Sequence, residues 1–147
     1  FLGGFVAVAA IIAASVGSAS LTPAAAQTAT KPAVRVSVSN VATRKGFILA
    51  ALYEETTWGG TAVALTRVPA DGDVVTLSLA APSPGRYGIR LFHDVDADGV
   101  MDANLVGLPT EPFGFSNNAP IQFGPPSFSA AAFDVVEAGA TQIIALR

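Results

Sequence analysis

The 147-residue chain has no cysteine, and it carries one histidine, one tryptophan and one methionine. Without a thiol there is no disulfide framework, no zinc-thiolate centre and no lipid-modified cysteine. Charge is scarce as well: eight Lys plus Arg against eleven Asp plus Glu, 13% of the chain, with a net charge of -3. Coiled coils and acidic disordered tails need far more charged residues, so both are excluded. There is no basic surplus to neutralise phosphates, which excludes nucleic acid as a partner. What is present is 51% hydrophobic residues with 14 Gly and 10 Pro, the composition of one small, turn-rich globular domain.

The first 26 residues hold no charge, and Phe5 to Val16 is an apolar run broken only by Ser15. That is the length of a signal-peptide apolar segment and shorter than the ~18–20 residues of a membrane span. Pro23 breaks the helix, and Ala24 and Ala26 offer the small residues a signal peptidase needs. The reading is a signal peptide over residues 1–26 and one domain over 27–147, periplasmic or secreted from a bacterium, with no transmembrane span in the mature form. No basic segment precedes the run and Met101 is the only methionine, so the native start is expected upstream of Phe1.

After the leader, Val34, Val36 and Val38 alternate with Arg35, Ser37 and Ser39, a period of two that places the valines on one strand face. Similar short segments recur at 46–53, 61–68, 73–80, 86–93, 131–136 and 141–147, separated by turn residues such as Ala70-Asp-Gly-Asp73 and Pro82-Ser-Pro-Gly85. Seven strands and no long helical pattern predict an all-β, antiparallel two-sheet sandwich. A short helical turn fits near 129–132. Between His93 and Ala131 no strand is evident, yet loops beyond ~12–15 residues are uncommon in compact domains unless functional. Five of the ten prolines and four of the nine phenylalanines fall there, so the stretch over about 94–130 reads as one long ordered loop.

That stretch opens with Asp94-Val-Asp96-Ala-Asp98-Gly99-Val100-Met-Asp102, four carboxylates in nine positions. Like charges this close repel unless a cation joins them. Oxygens at loop positions 1, 3 and 5, Gly at 6, a backbone carbonyl at 7 and a carboxylate at 9 form the calcium-loop spacing, assigning Asp94, Asp96, Asp98, the Val100 carbonyl and Asp102. Position 12 is Leu105 and the loop follows a strand, so this is not an EF-hand. The missing ligand is expected from water, Asn104 or a later residue such as Glu111. Hard oxygen donors favour calcium in a structural role over magnesium or manganese.

Gly85-Arg-Tyr-Gly-Ile-Arg-Leu-Phe-His-Asp94, Asn104-Leu-Val-Gly-Leu-Pro109, Phe113-Gly-Phe-Ser-Asn-Asn118 and Phe123-Gly-Pro-Pro-Ser-Phe128 together resemble the exported bacterial proteins grouped as domain of unknown function 2141. The resemblance spans roughly residues 33–147 and is strongest in the second half. It implies a secreted or periplasmic sandwich, Ig-like or prealbumin-like, and it implies no reaction. This chain has Asp at loop positions where the family often carries Asn, which strengthens the cation reading.

Other candidates are thinner. His93 and Ser116, or Ser127, are the available members of a Ser-His-Asp hydrolase, but Gly114-Phe-Ser116-Asn-Asn118 is not a nucleophile elbow. Glu54, Glu55 and Glu111 supply carboxylates without an implied cleft for glycoside hydrolysis. Phe113 and Phe115 alternate and share a face, either as an apolar platform beside the ion or, preferred, closing the open end of the sandwich. Asn117 and Asn118 read more readily as partners of backbone groups than as ligand contacts. Trp58, beside Gly59 and Gly60, is a lid on the core or a stacking surface.

The sequence thus predicts an exported, calcium-stabilised β-sandwich that binds an envelope protein, a glycan or a small ligand. A periplasmic hydrolase using His93 or a metal is the competing class, and a ligand-free structural envelope protein is the third.

Overall fold

The computed structural model describes residues 30–147; the signal peptide read over 1–26 lies outside them. The described chain is all-β. Its strands are β1 (Ala33–Ser39), β2 (Phe47–Tyr53), β3 (Ala64–Pro69), β4 (Val75–Ala80), β5 (Gly85–Asp94), β6 (Phe113–Phe115), β7 (Phe133–Val135) and β8 (Ala140–Ala145), with a one-turn helix α1 (Phe128–Ala131). Three strands form one sheet in the order β4-β1-β8, and the other sheet runs β3-β2-β5-β6 with β7 also paired to β5.

Alternation decides which side chains meet between the sheets. Val34, Val36 and Val38 of β1, Val75, Leu77 and Leu79 of β4 and Ile144 of β8 face Ile48, Ala50 and Leu52 of β2 and Tyr87, Ile89 and Leu91 of β5 in one buried core. No helix among the described residues is long and apolar enough to cross a membrane.

One detail of the expected sandwich is corrected. The sandwich is not wholly antiparallel, because β1 and β8 pair in parallel, Val34 opposite Ala140 through Ser39 opposite Ala145. A period of two is the same for either direction, so the sequence pattern carries no information on this point. The described residues hold eight strands, in keeping with the expected about seven. The added one, β6, lies inside the long loop and pairs with β5 as Arg90–Phe115, Leu91–Gly114 and Phe92–Phe113. Three residues with a central glycine are too few to show alternation. Gly114 is required by packing, since a Cβ there would stand 2.7 Å from Ile144 Cγ2.

The sheets are tied at one corner. Phe113 and Arg147 exchange both backbone hydrogen bonds, at 3.2 and 3.0 Å, joining β6 to the residues that follow β8.

The register separates neighbours sharply: Ile144 is fully buried and Ile143 is 67% exposed. Ile144→Ala should cost about 2–5 kcal/mol in denaturant unfolding, while Ile143→Ala should stay within about 0.5 kcal/mol of wild type. Equal losses would contradict the register.

Candidate functional site

The last residue of β5, Asp94, opens the acidic loop with its carboxylate buried. A buried carboxylate needs donors. Asp94 Oδ1 accepts from Asp98 N at 3.1 Å and Oδ2 from Gly99 N at 2.9 Å. Asp96 Oδ1 accepts from Asp98 N at 3.2 Å, and Asp98 Oδ1 from Val100 N at 2.8 Å, so the aspartates hold the turn by short local bonds. Gly46, in the left-handed region, lets the start of β2 run against the Asp94 carbonyl, which a Cβ would strike.

Glu111 reaches back across the excursion. It is buried; its Oε1 accepts from Val95 N at 2.9 Å and its Oε2 from Asp102 N at 3.2 Å. Two groups of carboxylate oxygens converge, each within 4.8 Å: Asp94, Asp96 and Glu111, and Asp96, Asp98 and Asp102. Of the two side chains considered for the missing ligand, Glu111 joins the cluster. Asn104 Oδ1 instead accepts from Val106 N and Leu108 N within its own turn. The Val100 side chain is exposed and its N–H is turned to Asp98. An ionised carboxylate has about four lone-pair directions, so these oxygens retain capacity for a cation beyond the backbone bonds. All the donors are hard oxygens, which suits calcium.

The electrostatics carry the strain of this crowding. The Asp98 N–H favours ionised Asp96, but partial desolvation and the nearby Asp94, Asp98 and Asp102 carboxylates outweigh it and hold Asp96 above the ordinary aspartate range. Asp102 is raised by desolvation and then by Asp98, Glu111 and Asp94.

The hydrolase candidates are not brought together. His93 points into the core, fully buried, with Nε2 2.6 Å from the Lys45 carbonyl and Nδ1 without a partner. Ser116 is also buried; its Oγ accepts from Ile89 N at 2.9 Å and donates to the Ala131 carbonyl. Ile89 and His93 are four strand residues apart, roughly 13 Å at the usual rise. Asn117 and Asn118, considered as ligand contacts, are engaged with backbone. Asn117 Nδ2 donates to Ala132 O at 2.8 Å, and Asn118 Oδ1 accepts from Ala145 N at 2.8 Å while its Nδ2 donates to Ile143 O. Asn118 thereby covers the free edge of β8.

Phe113 and Phe115 do not close the open end of the sandwich. With Arg90 and Phe92 they lie on the outer face of the β3-β2-β5-β6 sheet, where the long loop folds back over them. Trp58 anchors one side of this layer. Its Nε1 donates to Pro126 O at 2.9 Å, and its ring meets Tyr53 and Phe128 edge-on at centroid distances of 5.7 and 5.8 Å. Gly88 leaves room for it, since a Cβ there would stand 2.7 Å from the indole.

Between sheet and loop lies a cavity of about 900 Å³. Leu49, Ala51, Phe92, Phe113 and Phe115 form its floor, while Met101, Leu108, Pro109, Ile121 and Pro125 supply the loop side. Its size falls in the range of small-molecule sites. The sequence reading missed it because the lining comes from four strands and two loop segments. A signal existed: Gly46-Phe-Ile-Leu-Ala-Ala-Leu-Tyr53 is apolar at every position after the glycine, and a strand apolar on both faces has both faces covered.

The family model described as "Uncharacterized protein conserved in bacteria (DUF2141)" matches residues 36–144. The chain belongs to this family. No curated protein and no solved structure matches it. The match covers all eight strands except the ends of β1 and β8, so the acidic loop and the cavity lie within the family's own domain.

Raised carboxyls take up protons more readily in the folded than in the unfolded state, so they favour folding as pH falls. In chelator, the melting temperature should rise as pH is lowered from neutrality toward the ordinary carboxylate range. The double variant Asp96→Asn plus Asp102→Asn should flatten that rise in a pH series of thermal melts.

Proposed function

We propose that the protein is an exported, calcium-stabilised β-sandwich that acts as a binding module at the bacterial envelope. The observation that carries this reading is the adjacency of the acidic loop and the cavity. Gly99 and Met101, inside the loop, also line the cavity. A cation held by Asp94, Asp96, Asp98, Asp102 and Glu111 would relieve their repulsion and fix the loop that forms one wall of the binding space. The mechanism is architectural: the ion shapes the wall and the apolar floor supplies the contact.

Export rests on the leader, whose apolar run and small residues at Ala24 and Ala26 suit signal peptidase. Extracellular calcium is abundant enough to fill even weak sites of this kind. If the leader is cleaved as read, terminal sequencing of the protein recovered from periplasm or medium gives Gln27 first.

An ion that binds only the folded state stabilises it by about 2.7 kcal/mol at a hundredfold excess over Kd. Thermal melts should therefore drop clearly when calcium is replaced by chelator. The drop should vanish in Asp94→Ala plus Asp98→Ala. Identical melting temperatures with calcium and chelator in the wild-type protein would remove calcium from the proposal.

A further inference from the structure

The cavity's charge is one-sided. Arg67 and Arg90 line it, and no carboxylate side chain does. Among the described residues the ion pair is Arg44 with Asp73, on the surface, and neither cavity arginine has one. The Arg90 guanidinium lies 4.2 Å from the Trp58 ring and 5.4 Å from the Tyr53 ring. Such stacking positions a cation over aromatic faces without neutralising it. Arg90 Nε is wholly buried and has no acceptor. Nε is shut off from the cavity as well as from solvent, but the terminal guanidinium nitrogens are not, and among the described residues they make no hydrogen bond, so their N–H groups are the donors left for a ligand atom in this ligand-sized apolar cavity.

The chemistry of that acceptor follows from the lining. The planar guanidinium pairs with a carboxylate through two parallel N–H bonds. Leu49, Phe92, Phe113 and Leu108 offer only apolar contact to whatever lies beyond the head group. A sugar or a small polar anion would leave that surface wet, and a neutral hydrocarbon would leave Arg90 unpaired. Deepening the binding-module reading, on which it rests, we infer that the cavity takes an amphipathic acid, an acyl-chain body with one carboxylate held by Arg90.

The test uses the full chain and phenylnaphthylamine, an uncharged fluorescent reporter of apolar cavities, with decanoate and decanol as competitors. Decanoate should displace the reporter at a concentration at least about tenfold below that of decanol, the discrimination of a charge-assisted hydrogen bond. Arg90→Met should bring the two competitors together while the reporter still binds, and Arg90→Lys should restore part of the preference. Leu49→Trp, filling the cavity floor opposite Phe92 and not opposite Arg90, should abolish reporter binding with the melting curve unchanged. Equal displacement by acid and alcohol in the wild-type protein would overturn the inference and leave the binding module standing. A folded wild-type protein that binds no reporter would overturn the binding module as well.

Discussion

Two buried carboxylates, Asp94 at the end of β5 and Glu111 just before β6, fix the course of the chain between them. Each is removed from water and each accepts two backbone N–H groups, so neither can move without stranding charge or donors. Glu111 bonds both Val95 and Asp102, cinching the acidic loop at its base and its far side. That bracing gives sixteen residues without long secondary structure a defined path. It also sets where Met101 and Leu108 stand opposite the sheet, and so the width of the cavity. The same excursion gathers carboxylates in its acidic loop, while two arginines of the sheet, Arg67 and Arg90, line the cavity. The carboxylate cluster and the cavity belong to one excursion and meet at Gly99 and Met101.

A second set of polar groups holds the other half of that excursion. Ser116 links the β5 backbone at Ile89 to α1 at Ala131, and Asn117 ties the following turn to Ala132 and Gln142. Asn117 and Asn118 both occupy left-handed backbone, which Asn tolerates better than most residues. Side chains that look like a catalytic or ligand-binding box in the sequence are the fasteners of the fold. Trp58 completes the layer by clasping Pro126 and packing under Arg90.

Much of the architecture was legible in the sequence. Val34, Val36 and Val38 announced β1 and its inward face, and the Asp94 to Asp102 spacing marked the acidic loop, with Glu111 among the candidates to complete it. Strand direction was not legible, since β1 beside β8 alternates identically in parallel or antiparallel pairing. Nor was β6, whose Phe113-Gly-Phe115 is defined by its partner strand and not by its own pattern. His93 and Ser116 could be named as reactive types, but only the register of β5 and β6 shows them serving separate stretches of core. The cavity was hidden for a different reason: burial of the outer face of β2 depends on loop residues 99–125, far downstream in the chain.

The parallel pairing of β1 with β8 has a consequence for how the molecule reaches its native state. Val34 lies beside Ala140, so the central strand of the smaller sheet lacks one neighbour until the C-terminal strand arrives. Contacts so distant along the chain must repay the entropy of closing a large loop, which places folding among the slower, millisecond-to-second class of β proteins. Until that closure a valine-rich strand with an open edge is available to another chain, a hazard for aggregation. The few residues of β8 therefore act as the latch that ends the vulnerable period, and a chain cut short before Ile144 would be left permanently sticky.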